Sequence, residues 1–299
     1  MIRDGAVDKT GRNRKSKEME NWLKEFRQTL SALGIAEGDI VYISSDMSMI
    51  TYQMMKYYHV RTKDEKKAFM NAFVDTLIET VGDKGTLLIP MFTWSFCRNI
   101  PYDIRMTKGE VGVLGNWILE NRADFKRTKH PLYSFMTIGK DADILCEMDN
   151  RTAWGQDSPF AYLHKNHAKN LLINVTLERC FTFTHYVEET MRVPYRYMKD
   201  FHGTYVDEDG KSEQRVYTMF VRDLDIESKQ VTPENCLDEA GVAKTASFLD
   251  NTLKVVDLAA AYPVVEENYL HHNGDQWYEF PDYVIDWQGG QTHPDETKI

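Results

Sequence analysis

The chain predicts an α/β protein, a three-layer α/β/α sandwich around a central mixed sheet with antiparallel additions in the C-terminal third. Two observations carry this expectation. Between residues 22 and 194, short apolar and β-branched runs alternate with segments whose apolar residues recur at helical spacing, and such alternation packs as a buried sheet under helices on both faces. Beyond Pro194 the alternation gives way to strand-like runs that read as antiparallel. With 299 residues, 42% hydrophobic and 27% charged, the chain is long enough to bury a sizeable core.

The elements follow in order. Residues 1–20 are basic, glycine-containing and aperiodic, as expected of a mobile arm. Residues 21–270 are expected to form one α/β domain and 271–299 a polar tail with docked aromatic anchors. An amphipathic helix spans 22–33, and strand 39–44 (DIVYIS) runs into Ser44, Ser45 and Asp46, residue types that cap helix starts or bind ligands beside free backbone N–H groups. Helix 64–81, strand 85–92, helix 112–121, strand 133–138, helix 141–148 and strand 171–175 continue the pattern, and a helix around His185 ends near Pro194. Strands at 215–223 and 251–257 flank a helical 233–240 segment, with a last helix over 258–269.

Charge and cysteine usage narrow the function. Lysine and arginine number 36 against 46 acidic residues, a formal charge of −10; this argues against a nucleic-acid partner and suits a cationic or small neutral substrate, while leaving room for an anionic cofactor at a local site. No run approaches the roughly 18–20 apolar residues of a membrane span, and the polar start lacks a secretory core, so a cytoplasmic protein is expected. The four cysteines show no C-x-x-C spacing and suggest neither a zinc cage nor a disulfide framework. Cys180 is a candidate nucleophile by position alone, and a lone cysteine is more often a small buried hydrophobe.

The segment FTFTHYVEE, 181–189, follows an apolar strand, and side chains three apart on a helix share a face. Thr182, His185 and Glu188 then form a hydroxyl, imidazole and carboxylate row where open α/β folds place ligands. A carboxylate beside a histidine fixes its tautomer and strengthens it as a base. The competing reading is a surface helix with one satisfied histidine and a solvated Glu188–Glu189 pair. Three further segments bear weighing. PMFTWSFC (90–97) offers Phe92, Trp94 and Phe96 as pocket or core; TKGEVGVLG (107–115) is a glycine-rich helix start without a phosphate-loop pattern; RTKHPLYSF (127–135) is an anion contact or a solvated loop around His130.

Taken jointly, GDIVYISSD (38–46), GDKGTLLIPMFTWSFC (82–97), Tyr102–Asp103, TKGEVGVL (107–114), RTKHPLYSF, GQDSPFAYL (155–163), LLINV (171–175), TFTHYVEE (182–189) and VPYR (193–196) resemble the aminoglycoside 3-N-acetyltransferase family in order and spacing. The resemblance implies acyl transfer from acetyl-coenzyme A or another acyl-coenzyme A to an amine, with no metal. It places the essential histidine on His185 and its carboxylate partner on Glu188, with Thr182 or backbone N–H groups as oxyanion donors. Coenzyme contacts fall on Ser44, Ser45, Asp46 and Met47, and on Thr107, Val111 and Ser134. Acceptor-pocket candidates are Asp103, Asp157, Tyr195 and Arg196. Two departures from the family pattern stand out: Asp46 puts a negative charge in the coenzyme turn, and NVTLERC (174–180) replaces a glycine-rich stretch.

The acceptor implied is an amino sugar, nucleotide-linked or free, or an aminoglycoside in an antibiotic-resistance role. Other partners expected are coenzyme A itself and a second copy in a homodimer, with no nucleic acid or membrane. Two alternatives compete: a zinc hydrolase with His185 and Glu188 or Glu189 joined by His130 or His202, which lacks a zincin signature, and a non-catalytic binding protein that kept the fold.

Overall fold

Strand β1 (Ile40–Ser45) divides the protein into two cores. Ile40 and Tyr42 join one apolar cluster and Val41 and Ile43 another across the sheet, as the two-residue period of a strand requires. The computed structural model describes residues 9–227, 229–230 and 234–297, and β1 lies at the centre of its main sheet. β2 (Thr86–Pro90) and β6 (Lys169–Ile173) flank β1 in parallel. β5 (Phe135–Gly139) runs antiparallel to β2, and the two-residue β4 (Lys126–Arg127) antiparallel to β5. At the other edge β11 (Asn251–Asp257) runs antiparallel to β6, and β10 (Ala243–Phe248) pairs with β11. The strand order β10-β11-β6-β1-β2-β5-β4 is the mixed sheet the sequence predicts.

Helices α1 (Lys9–Ala32), α2 (Ser48–Lys56), α3 (Lys63–Val81) and α4 (Leu114–Asn121) cover the Val41 face, burying Trp22, Phe26, Ile50, Phe69, Phe73 and Ile118. On the Tyr42 face lie α6 (Pro159–Lys165), α8 (Phe183–Met191) and α10 (Leu258–His272), with Phe160, Phe183 and Val265 in the core. Short helices α5 (Ala142–Glu147), α7 (Leu177–Cys180) and α9 (Glu234–Glu239) link these layers. A second sheet of β3 (Tyr102–Asp103), β7 (Arg196–Val206) and β8 (Ser212–Arg222) supplies the expected antiparallel addition.

Three differences from the sequence expectation have physical causes. α1 begins at Lys9, so residues 9–20 of the expected arm are helical; their Lys, Arg and Glu side chains are good helix formers, and residues 1–8 lie outside the described residues. α2 was not expected, and it starts where the Ser48 N–H donates to Asp46 Oδ1 at 2.8 Å. β7 was not expected because charges, His202 and Gly203 interrupt its alternation, yet β8 pairs along its whole length. Beyond α10, Trp277, Tyr278 and Ile285 are buried, and the tail is held by aromatic anchors and by pairing of β12 (Tyr278–Glu279) with β9 (Lys229–Gln230).

Candidate active site

α8 places His185 and Glu188 through its ends as much as through its helical period. Thr182 stands at the N-cap, and Arg192 adopts a left-handed conformation (φ 56°) at the C-cap; Pro194 then prevents the helix from resuming. The chain turns back into β7, which brings Tyr195 and Arg196 against Glu188. The His185 Nδ1 lies 2.6 Å from Glu188 Oε2. Arg196 Nε forms an ion pair with the same oxygen at 3.0 Å, while Tyr195 and Tyr269 donate their hydroxyls to Oε1 at 2.7 and 3.1 Å. Glu188 is sealed from solvent, whereas the His185 side chain keeps 22% of its surface exposed. The indole of Trp154 packs on the imidazole with centroids 4.9 Å apart.

This arrangement fixes protonation. Burial opposes charge on Glu188, but Arg196 and His185 overcome it and hold the carboxyl down to about 2. Burial and then the Arg196 charge lower the His185 pKa below its ordinary 6.5, and Glu188 offsets them in part. Burial, joined by the Glu188 charge, raises Tyr195 and Tyr269 well above 10, so both keep the protons they donate. With Nδ1–H directed at a carboxylate, the lone pair of the neutral imidazole sits on Nε2. The carboxylates of Glu188 and Glu189 are not a solvated pair: burial pushes Glu189 up to about 7.

A cleft opens at the C-terminal ends of the parallel strands β1 and β2, the position where α/β sheets bind ligands. It gathers Ser44, Ser45, Val111 and Thr182 with Gly112 and Gly115. The Thr182 side chain makes no cap hydrogen bond to the helix; it lies beside the Tyr42 hydroxyl, which burial raises to about 12 and so keeps protonated. Thr182 therefore joins the cleft to the His185 helix.

A family model described as aminoglycoside 3-N-acetyltransferase matches residues 54–269. The chain belongs to this family. Its members are acetyl-coenzyme A-dependent N-acetyltransferases, and this protein is therefore an acyltransferase that uses an acyl-coenzyme A co-substrate. Among solved structures, the aminoglycoside acetyltransferase AAC(3)-Xa is 17% identical, with 87% of this chain and 98% of that chain covered at a TM-score of 0.66. AAC-IIIb in a binary complex with CoASH is 17% identical over 89% and 98%, also at 0.66. AAC-VIa bound to sisomicin is 18% identical over 85% and 97%, at 0.64. At these identities the likeness is one of fold. No curated protein matches the chain by sequence.

Other residues singled out in the sequence fall in different places. Ser134, expected at the coenzyme, is fully buried; its hydroxyl accepts from Arg127 Nε at 3.1 Å and donates to the Met91 carbonyl. Thr107 is turned to its own loop, where its Oγ1 accepts from the Asp103 N–H. Met47 is buried in the core beneath α2, and exposed Asp46 caps that helix. Tyr195 and Arg196, expected in the acceptor pocket, lie behind Glu188, 0% and 6% exposed. Asp103 pairs with Arg105 at 2.8 Å in the second sheet, and Asp157 is exposed just before α6.

The competing chemistries find no support in the geometry. Burial raises the Cys180 thiol above its usual range, which disfavours the nucleophilic thiolate. His130 is buried against Tyr217, with burial lowering it to about 3, and His202 is exposed on β7. Among the described residues no group of three or more His, Cys, Asp or Glu side chains could hold a metal ion. None is long and apolar enough as a helix to cross a membrane. Sequence reasoning missed Tyr42, Trp154 and Tyr269; a tyrosine within the aliphatic run IVYIS was the one available signal.

Proposed function

We propose that this enzyme transfers an acetyl group from acetyl-coenzyme A to an amine of an amino sugar or aminoglycoside, with His185 as general base and Glu188 as its support. The observation that carries this reading is the 2.6 Å contact between His185 Nδ1 and a fully buried, ionised Glu188, which leaves Nε2 as a neutral, partly exposed base. As the acceptor nitrogen attacks the thioester carbonyl, Nε2 takes the amine proton and Glu188 stabilises the imidazolium. Collapse of the tetrahedral intermediate breaks the C–S bond, and the sulfur leaves with the proton returned by His185. An amide and the free thiol of coenzyme A result.

Thr182 is the proposed oxyanion donor, since it lines the cleft and its side chain, beside the Tyr42 hydroxyl, makes no cap bond to the helix; such a donor contributes on the order of 3 kcal/mol to barrier lowering. Ser44, Ser45 and Val111 line the same cleft and are the proposed walls of the pantetheine channel. A cationic acceptor suits a chain of net charge −10, and AAC-VIa, with sisomicin bound, shows a relative of this fold holding an aminoglycoside.

The test is thiol release with acetyl-coenzyme A and a panel of aminoglycosides and free or nucleotide-linked amino sugars. His185→Ala is expected to lower turnover by roughly 10²–10⁴-fold while thermal stability and coenzyme affinity persist. Unchanged turnover refutes the base assignment, and transfer confined to one acceptor group identifies the substrate class.

A further inference from the structure

The family match ends at residue 269, yet the chain beyond it wraps the back of the Glu188 site. Trp287 packs edge-on against Tyr195 with centroids 5.8 Å apart and lies 6.3 Å from Tyr269. Phe280 and Tyr278 approach the Tyr195 ring at 4.9 and 5.7 Å. The Tyr278 hydroxyl accepts from Arg196 Nη2 at 3.4 Å, and Gln291 Nε2 donates to the Arg196 carbonyl at 2.9 Å. Further on, the Thr292 N–H donates to Pro194 O at 2.8 Å, the Met198 N–H donates to Asp295 Oδ1 at 2.7 Å, and Asp295 pairs with Arg192 at 2.6 Å. The segment thus grips both sides of the turn between α8 and β7, the turn that delivers Tyr195 and Arg196 to Glu188.

We propose that residues 277–296 form a positioning clamp for the general base, holding Tyr195 and Arg196 on Glu188 so that docking of the tail governs how His185 is oriented and how readily it accepts a proton. The inference rests on the reading of His185 as base. Arg196, the first residue of β7, and Tyr195 just before it both bond to Glu188. What closes them in is the aromatic packing of Tyr278, Phe280 and Trp287. The ionisable groups facing the His185–Glu188 pair come from four places: Tyr195 and Arg196 from the start of β7 and the turn before it, Tyr269 from α10, Tyr278 from the tail, and Tyr133, which faces Arg196 from the segment before β5. Tyr195 and Tyr269 stay protonated well above 10 and Tyr133 up to about 12. Loosening the clamp therefore acts on His185 through the Arg196 charge and through water admitted around it, both of which return the imidazole toward its ordinary pKa.

The experiment measures kcat, KM and the pH profile of kcat/KM on the full chain carrying Trp287→Ala, Trp287→Phe or Tyr278→Phe. Trp287→Ala is expected to lower kcat about tenfold with KM for acetyl-coenzyme A changed less than about twofold, and to move the acid limb of the profile upward. Trp287→Phe restores both, and Tyr278→Phe shifts the limb in the same direction by less. An acid limb that stays in place in Trp287→Ala and Tyr278→Phe overturns the clamp; if Trp287→Ala does not fold, Tyr278→Phe, which removes a single hydroxyl, decides alone. Full activity of His185→Ala would instead bring down the base assignment, so the two failures are distinguishable.

Discussion

The two halves of the site are built on opposite principles. Around Glu188 the polar groups are committed: two buried tyrosines, a buried arginine and a part-exposed histidine converge on one carboxylate. In the cleft at the ends of β1 and β2 the hydroxyls have neutral partners at longer range, Ser44 donating to the Cys180 carbonyl and accepting from Asn170 Nδ2, both at 3.3 Å, and Thr182 resting on the Tyr42 hydroxyl without a cap bond. A low-dielectric environment strengthens a fully satisfied network and penalises any missing partner. Loosely bonded hydroxyls beside a groove exchange partners at small cost. The difference teaches that the proposed base depends on the integrity of the fold, whereas the proposed coenzyme cleft depends on local shape.

The largest expected effect breaks the comparison at its centre. Glu188→Ala leaves Arg196 buried without its counter-charge, and loss of one partner of a buried pair typically destabilises by about 3–5 kcal/mol. Urea unfolding should show a loss of that order, with turnover falling at least as far as in His185→Ala. A variant that keeps wild-type stability would mean that Arg196 finds water or another acceptor, and that the network is less committed than its geometry indicates.

Acid sharpens the comparison next. Glu188 titrates at about 2 in the folded protein against an ordinary 4.5, so its contribution to stability is whole above 4.5 and is lost as pH falls through about 2. His185 has a folded pKa below its ordinary 6.5; the unfolded chain takes up that proton first, and stability begins to decline as pH drops below 6.5. The same lowered pKa keeps the base neutral at pH 7, and kcat/KM should fall only at a pH lower than an ordinary histidine would give. A rate profile whose acid limb lies above 6.5 contradicts the burial and Arg196 effects together.

How much of this was legible in the sequence follows the distance between partners along the chain. His185 and Glu188 are three residues apart on one helix, so their contact is local and the spacing exposes it. The sheet was legible because β1, β2 and β6 are short apolar runs between helices. Tyr195 and Arg196 were noticed, but a sequence does not say which way a side chain turns after a helix ends; here the left-handed Arg192 and Pro194 direct both inward. Tyr269, Tyr278 and Trp154 reach the site from distant segments, and nothing local marks them. The surroundings of Ser134 are equally non-local: Arg127 folds onto it from β4, a contact set by strand pairing. The glycines in 107–115 follow no phosphate-loop pattern, and at Gly109 and Gly115 the structure gives them a packing cause.

That packing cause supplies the smallest test. A Cβ added at Gly115 would sit 2.5 Å from the Pro90 carbonyl oxygen and 2.7 Å from Met91 Sδ, so Gly115→Ala must push α4 away from the end of β2, where Gly115 and Pro90 border the cleft. Overpacking of this kind costs about 1–3 kcal/mol. The displaced wall is expected to raise KM for acetyl-coenzyme A, while kcat at saturating coenzyme and the acid limb of the pH profile stay at wild-type values. The Glu188 network lies across the sheet from α4, and its partners come from α8, β7, α10 and the tail. If the acid limb moved in Gly115→Ala, the cleft and the base would share one packing unit, and the contrast between a committed half and an adaptable half would fail.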